Sequence, residues 1–297
     1  MSYLPFAILS YLLNSIALTV DKFLLTKTIP DPLIYIFYFS VVSFLSFFAL
    51  PFTNLPTLPV FALASTSTLL WTLGAYLMFK ALKLGQVQRV IPVIGTLTPL
   101  ILLFLASGTD PLTSYQQIAI ILLILGLIFL TFAGWKGKLS RLEIMLEVFS
   151  SLFFALSYYL LRLAFLQQDF LTVLVWSRPV LIPLSIIILI IPALRIKITQ
   201  FSQNKSDIKK ALPLFVFGQI SAGISELLLV FSISLASPAI VNSLQGVKYI
   251  FLLIFSLILG KKLPAIFTNK ISGSFLISQI LGIGLIGIGL YLLASEV

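Results

Sequence analysis

Ile118-Ala119-Ile120-Ile121-Leu122-Leu123-Ile124-Leu125-Gly126-Leu127-Ile128-Phe129-Leu130-Thr131-Phe132 carries no charged group, and none occurs anywhere between Asp110 and Lys136. A helix of about 20 such residues, rising about 1.5 Å each, crosses a hydrocarbon core of roughly 30 Å. Runs of this kind recur along the whole chain of 297 residues, which is 60% hydrophobic and only 9% charged, with a mean hydropathy of +1.15. Soluble proteins carry about 25% charged residues, and a soluble fold of this length has no way to hide so much apolar surface. A disordered chain would be polar instead. The sequence therefore describes an all-α, polytopic membrane protein with the lipid bilayer as its first partner.

The absences narrow the chemistry. With no cysteine and no histidine, disulfides, thiolate nucleophiles, histidine dyads and histidine-held zinc, haem or copper are excluded. The nine acidic residues form no aspartate cluster able to hold magnesium, and the phosphate-loop, serine-hydrolase and zinc-protease motifs are missing. No enzyme, metal or cofactor is expected. The net charge of +10 resides in short turns between apolar segments, where loop charge explains it and a nucleic-acid partner does not. The N-terminus lacks the basic region of a signal peptide, so the first apolar segment is expected to remain as a helix.

Working outward from residues 115–134, punctuation by Pro, Gly and charge predicts ten helices. The others span 4–25, 32–51, 58–82, 87–106, 143–166, 170–192, 211–235, 238–259 and 274–294, with turns such as Asn54-Leu55-Pro56, Gly108-Thr109-Asp110 and Ser237-Pro238. Ten crossings put Lys22, Lys27, Lys80, Lys83, Arg89, Lys136, Lys138, Arg141, Arg195, Lys197, Lys205, Lys209, Lys210, Lys261, Lys262 and Lys270 on one face. Arg162 is alone on the other, while Arg178 and Lys248 lie inside helices. The positive-inside rule then makes the Lys/Arg-rich face cytoplasmic in a cell membrane and leaves both termini outside.

The two halves, 1–138 and 139–297, read as one unit used twice. Ala81-Leu82-Lys83-Leu84-Gly85 followed by Val90-Ile91-Pro92-Val93-Ile94-Gly95 aligns with Ser232-Ile233-Ser234-Leu235-Ala236 followed by Val241-Asn242-Ser243-Leu244-Gln245-Gly246. Ala119 and Gly126 fall on Gly282 and Gly289, Asp31 on Asp169, and Lys22 on Arg162. An odd-numbered repeat must insert its second copy upside down, the inverted construction of many secondary transporters. On these residues the chain resembles the drug/metabolite transporter superfamily, specifically EamA-type proteins with two five-helix repeats. Ala81-Leu82-Lys83 closing helix three, Gly126 and Gly289 in the last helix of each repeat, and Arg178 in helix seven carry the resemblance. It departs at Ser40, where the first copy would hold the arginine, and at Gly108-Thr109 and Gly260-Lys261, where Gly-Glu is usual. Many family members also keep both termini in the cytoplasm, opposite to the charge reading.

Charges inside a bilayer cost about 2.5–3.5 kcal/mol each on insertion scales. Arg178, Glu226 and Lys248 share one layer, roughly 12, 14 and 15 Å from the non-cytoplasmic helix ends, and Asn14 lies about 15 Å deep. Gln219, Gly223 and Glu226 repeat at helical spacing, as do Asn242, Gln245 and Lys248 or Tyr249. Trp71, with Gly74 and Met78 on one side, offers an aromatic wall. The first repeat has Ala75 and Leu97 where the second has Glu226 and Lys248. One reading makes Glu226 and Lys248 a structural ion pair. The other makes Arg178, Glu226, Lys248, Gln245, Asn14, Trp71 and Asn242 the substrate-binding residues, with a net +1 that favours a carboxylate or phosphate. Glu226 is the acid deep enough to couple protons, whereas Asp21 beside Lys22 reads as a solvated boundary charge. Pro92, Gly95 and Pro99 in helix four suit either alternating access or simple packing kinks.

Three function classes follow. The first is a secondary transporter, an exporter, of small organic metabolites; the resemblance implies amino acids and related compounds. The second is a flippase or carrier for phosphate-bearing lipids or phosphorylated metabolites. The third, an enzyme or retinal protein built on Lys248, fits the ten-helix plan poorly. Gly282, Gly284, Gly287 and Gly289 suit either a homodimer contact or packing inside the monomer.

Overall fold

The computed structural model describes residues 3–27, 31–84, 87–106, 111–132, 140–203, 205–259 and 273–295, and among them every regular element is helical. The turn at Gly108-Thr109-Asp110, the Gly260-Lys261 pair, and Lys136, Lys138, Lys262 and Lys270 lie outside the described residues. The helices are α1 (Leu4–Lys27), α2 (Pro32–Ser43) continued by a 3-10 helix (Phe44–Phe52), α3 (Leu58–Leu84), α4 (Val87–Ala106) and α5 (Ser114–Phe132). There follow α6 (Arg141–Phe165), α7 (Phe170–Trp176), α8 (Leu181–Ile190), α9 (Pro192–Gln203), α10 (Lys205–Leu235), α11 (Pro238–Ser243), α12 (Gln245–Leu259) and α13 (Gly273–Ser295). Among the described residues, seven stretches are long and apolar enough to cross a membrane: Leu4–Asp21, Pro32–Phe52, Leu58–Leu84, Arg141–Phe165, Phe170–Ile190, Pro213–Leu235 and Pro238–Phe255. Val90–Leu105, Ser114–Leu130 and Ile280–Leu293 are apolar but shorter.

Three of the expected continuous helices are broken, each for a local reason. The second tightens after Ser43, where Ser40 and Ser43 hydroxyls donate back to Ile36 O and Phe39 O at 2.8 Å. The seventh opens at residues 177–180, because Pro179 has no N–H and disfavours helix at Arg178. The ninth kinks at Leu244, where Asn242 Nδ2 donates to Pro238 O at 3.0 Å and Ser243 Oγ to Ile240 O at 2.7 Å. Such back-bonding bends helices. α4 runs on through Pro92 and Pro99. Helix starts follow capping chemistry: the side chain of Asp31 accepts from Leu33 N at 2.9 Å and that of Asp169 from Thr172 N at 3.0 Å. At Asp169 slight burial acts upward on the carboxyl, but the hydrogen bonds from the first turn win and hold it below its ordinary range.

Polarity is distributed as lipid demands. Outward-facing residues include Phe48 and Phe104, 82% and 79% exposed, while serines fill the interior. Ser10 Oγ donates to Ser225 O at 2.8 Å and Ser225 Oγ to Ser10 O at 2.9 Å, strapping α1 to α10. Ser67 Oγ donates to Ser157 O at 2.9 Å and Ser150 Oγ to Gly74 O at 2.8 Å, strapping α3 to α6. Lipid tails give no hydrophobic drive between helices, so close approach of small residues replaces it. α5 and α13 show this directly: a methyl group at Gly126 would lie 2.8 Å from Gly282 O, and one at Gly289 would lie 3.1 Å from Ala119 O. Gly284 and Gly287 face outward with nothing within 4 Å. All three helix pairs run antiparallel, and α4 also packs on α6, and α1 on α12. Lys80, Lys83, Arg141 and Arg195 are exposed.

Candidate functional site

Where α1, α3, α4, α6, α10, α11 and α12 converge, they leave a cavity of about 120 Å³. Asn14, Trp71, Glu226, Asn242, Gln245 and Lys248 all line it. Arg178 does not reach the wall. It sits in the break between α7 and α8, from which its guanidinium acts electrostatically on Glu226. Of the Gln219, Gly223 and Glu226 stripe only Glu226 lines the cavity, and Gly223 is exposed.

One end of the cavity is aromatic. Trp71 Nε1 donates to the Tyr158 hydroxyl at 3.3 Å and also faces the Glu226 carboxylate. Phe154 lies edge-on to Trp71, with ring centroids 5.9 Å apart, and stacks on Tyr158 at 6.3 Å. Tyr11 and Tyr158 both sense the Glu226 charge. The other end is a polar ladder on the kinked helix: Lys248 Nζ donates to Gln245 Oε1, and Gln245 Nε2 to Asn242 Oδ1, both at 3.3 Å. The Lys248 ammonium also lies 5.4 Å from the Tyr249 ring centroid. Glu226 and Lys248 therefore form no ion pair with each other; each faces the cavity from its own helix with separate neighbours.

The kink at Leu244 has a partner across the bundle. Tyr11 of α1 donates to Val241 O at 2.8 Å, the carbonyl that a continuous helix would offer to the Gln245 amide. Sequence reasoning passed over Tyr11, Phe154, Tyr158 and Thr98, which line the wall together with Ser10, Leu18, Ile91, Ile94, Ser225 and Leu229. Tyr11 precedes Asn14 by three residues, so helical spacing from a known wall residue would have found it, whereas no expected site residue on α6 pointed to Phe154 or Tyr158. Asp21 is a correction. It is not solvated: only 8% of its surface is exposed, and Oδ1 has no hydrogen-bond partner, because α10 closes over it at Gly218.

No family model matches the chain, and no curated protein matches it. A solved structure described only as "Crystal structure of protein" has a similar fold, with a TM-score of 0.62 and 16% sequence identity. The match covers 96% of this chain and 98% of that one. At that identity the likeness is one of fold alone.

Proposed function

We propose that this protein is a secondary transporter of small organic solutes in a cell membrane, an EamA-like exporter of the drug/metabolite transporter type. It works by alternating access between two inverted five-helix repeats, residues 1–138 and 139–297. The observation that carries the reading is the central cavity, whose polar wall draws on both halves. The ten-span, two-repeat plan counts the three shorter apolar helices as crossings. Its support is a set of contacts that exchange partners between the halves. In the registers that pair Lys22 with Arg162 and Ala81 with Ser232, Ser10 matches Ser150 and Ser225 matches Gly74. The Ser10–Ser225 strap is then the counterpart of the Ser150–Gly74 strap. Likewise Gly126 against Gly282 answers Gly289 against Ala119, and α4 on α6 answers α12 on α1.

With Arg178 off the wall, one carboxylate and one ammonium face the solute, so the wall is neutral and suits molecules bearing both charges, amino acids among them. A cavity of about 150 Å³ holds a benzene-sized molecule, so this conformation favours small solutes. A phosphate-bearing substrate, the second reading, would meet the Glu226 carboxylate in the same space. Counterflow in proteoliposomes with labelled small amino acids tests the assignment. Exchange should be present in the native protein and fall at least tenfold in Glu226→Gln and Lys248→Met. Unchanged exchange in both correctly inserted variants would overturn it.

A further inference from the structure

Two small clusters close the bundle at opposite ends of the cavity. In one, Leu161 of α6, Val173 of α7, Ala64 of α3 and Val230 of α10 are buried together. In the other, Tyr35 of α2 is central, with Phe79 of α3 and Leu214 and Phe215 of α10 around it. The repeat registers place Tyr35 on Val173, Phe79 on Val230, Phe215 on Ala64 and Leu214 on Leu63. The same closure is built twice, with a chemical difference. Where the first has Leu161, the second has Asp21, at the end where the Lys/Arg-rich turns lie.

Asp21 follows Leu18, a cavity residue, by one helical turn, about 4.5 Å along α1. A methyl group at Gly218 would lie 4.0 Å from Asp21 Oδ1, and the Tyr35 hydroxyl, also buried without a partner, interacts with the carboxylate electrostatically. The described groups around it are Tyr35 and Tyr38 from α2 and Phe215 and Gly218 from α10. From α3 comes Phe79, while Lys80 turns to the Tyr76 ring, 4.8 Å from its centroid. An ionised carboxylate that is mostly buried, with one oxygen lacking a donor, is disfavoured, and adding a proton removes the charge.

We propose that Asp21 is a proton-binding site within the closure at the Lys/Arg-rich end. As that end closes, one proton from the adjoining aqueous phase adds to the Asp21 carboxylate and gives a neutral acid. When α1, α2 and α10 part, the proton returns to the same phase and leaves the carboxylate ionised and hydrated. The equivalent closure at Leu161 has no ionisable group at this position, so acidity on one side of the membrane alone governs opening. The inference rests on the alternating-access reading, but its test needs no substrate.

The chain contains no cysteine, so Leu214→Cys and Leu63→Cys each place one thiol at equivalent positions of the two closures. Labelling by a polar maleimide is measured in nanodiscs from pH 5.5 to 8.5, each rate divided by that of free cysteine at the same pH. The thiol from Leu214→Cys should label at least fivefold faster at the alkaline end. Adding Asp21→Asn should make it slow and flat, and Asp21→Glu should restore the dependence. The thiol from Leu63→Cys should change in the opposite sense; if it stays flat while the other responds, the proton site stands and alternation fails. A flat profile for Leu214→Cys with Asp21 intact, or one that survives Asp21→Asn, overturns the proposal.

Discussion

Arg162 shows how much a single side chain can hold. Its Nη1 donates to Ile233 O and Ser234 O at 3.1 and 2.8 Å, satisfying carbonyls near the end of α10 that have no amide left to accept from. Hydrogen bonds from a charged donor are worth about 1.5–3 kcal/mol each. Arg162→Met should therefore lower the melting temperature measurably, and a thermal melt of purified protein checks this. The sequence places Arg162 alone on its face and assigns it no partner. Its role depends on α10 arriving from a distant part of the chain. Asp169→Ala removes the cap of α7 and should cost about 1 kcal/mol. Because the folded state holds this carboxyl below its ordinary range, the cap's contribution is complete above the unfolded value, about pH 4. It fades as pH falls through the lower folded value, and Asp169→Ala should remove that part of the acid sensitivity in pH-dependent melts.

At the scale of elements, glycines divide by direction. A leucine at Gly126 would drive into the Gly282 carbonyl and Ile286, whereas Gly284 has open space around it. Gly126→Leu should prevent stable folding, while Gly284→Ala should leave a thermal melt within about 1 kcal/mol of the native protein. Periodicity alone could not separate these glycines, because α5 and α13 are both apolar nearly all round and have no polar face to orient them. The same limitation explains the broken helices. The sequence marks Pro179 and the Asn242-Ser243 pair, yet whether they end, kink or merely decorate a helix depends on what packs beside them. The layer of Glu226, Lys248 and Asn14 was legible, since buried charge is costly and depth follows from helical rise. Arg178 was expected in the same layer, but it sits in the break at residues 177–180 and does not line the cavity.

The whole molecule has an apolar exterior and a serine-lined interior in which Asp21, Glu143, Glu147 and Lys248 are also buried. Orientation in the membrane is testable without transport. If the Lys/Arg-rich end is cytoplasmic, a thiol from Arg141→Cys should resist a membrane-impermeant maleimide in intact cells, and one from Gln167→Cys should react. The reverse pattern would invert the assignment. The Tyr11 bond to Val241 O carries a mechanical implication at this scale. While α1 is in place, the bent helix keeps its stray carbonyl satisfied through a phenol belonging to the other half. Once α1 withdraws, that oxygen can recover a partner inside the chain by straightening the bend and taking the Gln245 amide. In the proposed alternation, withdrawal of α1 and straightening of the α11–α12 bend then become a single exchange at one carbonyl, the Tyr11 hydroxyl for the Gln245 amide.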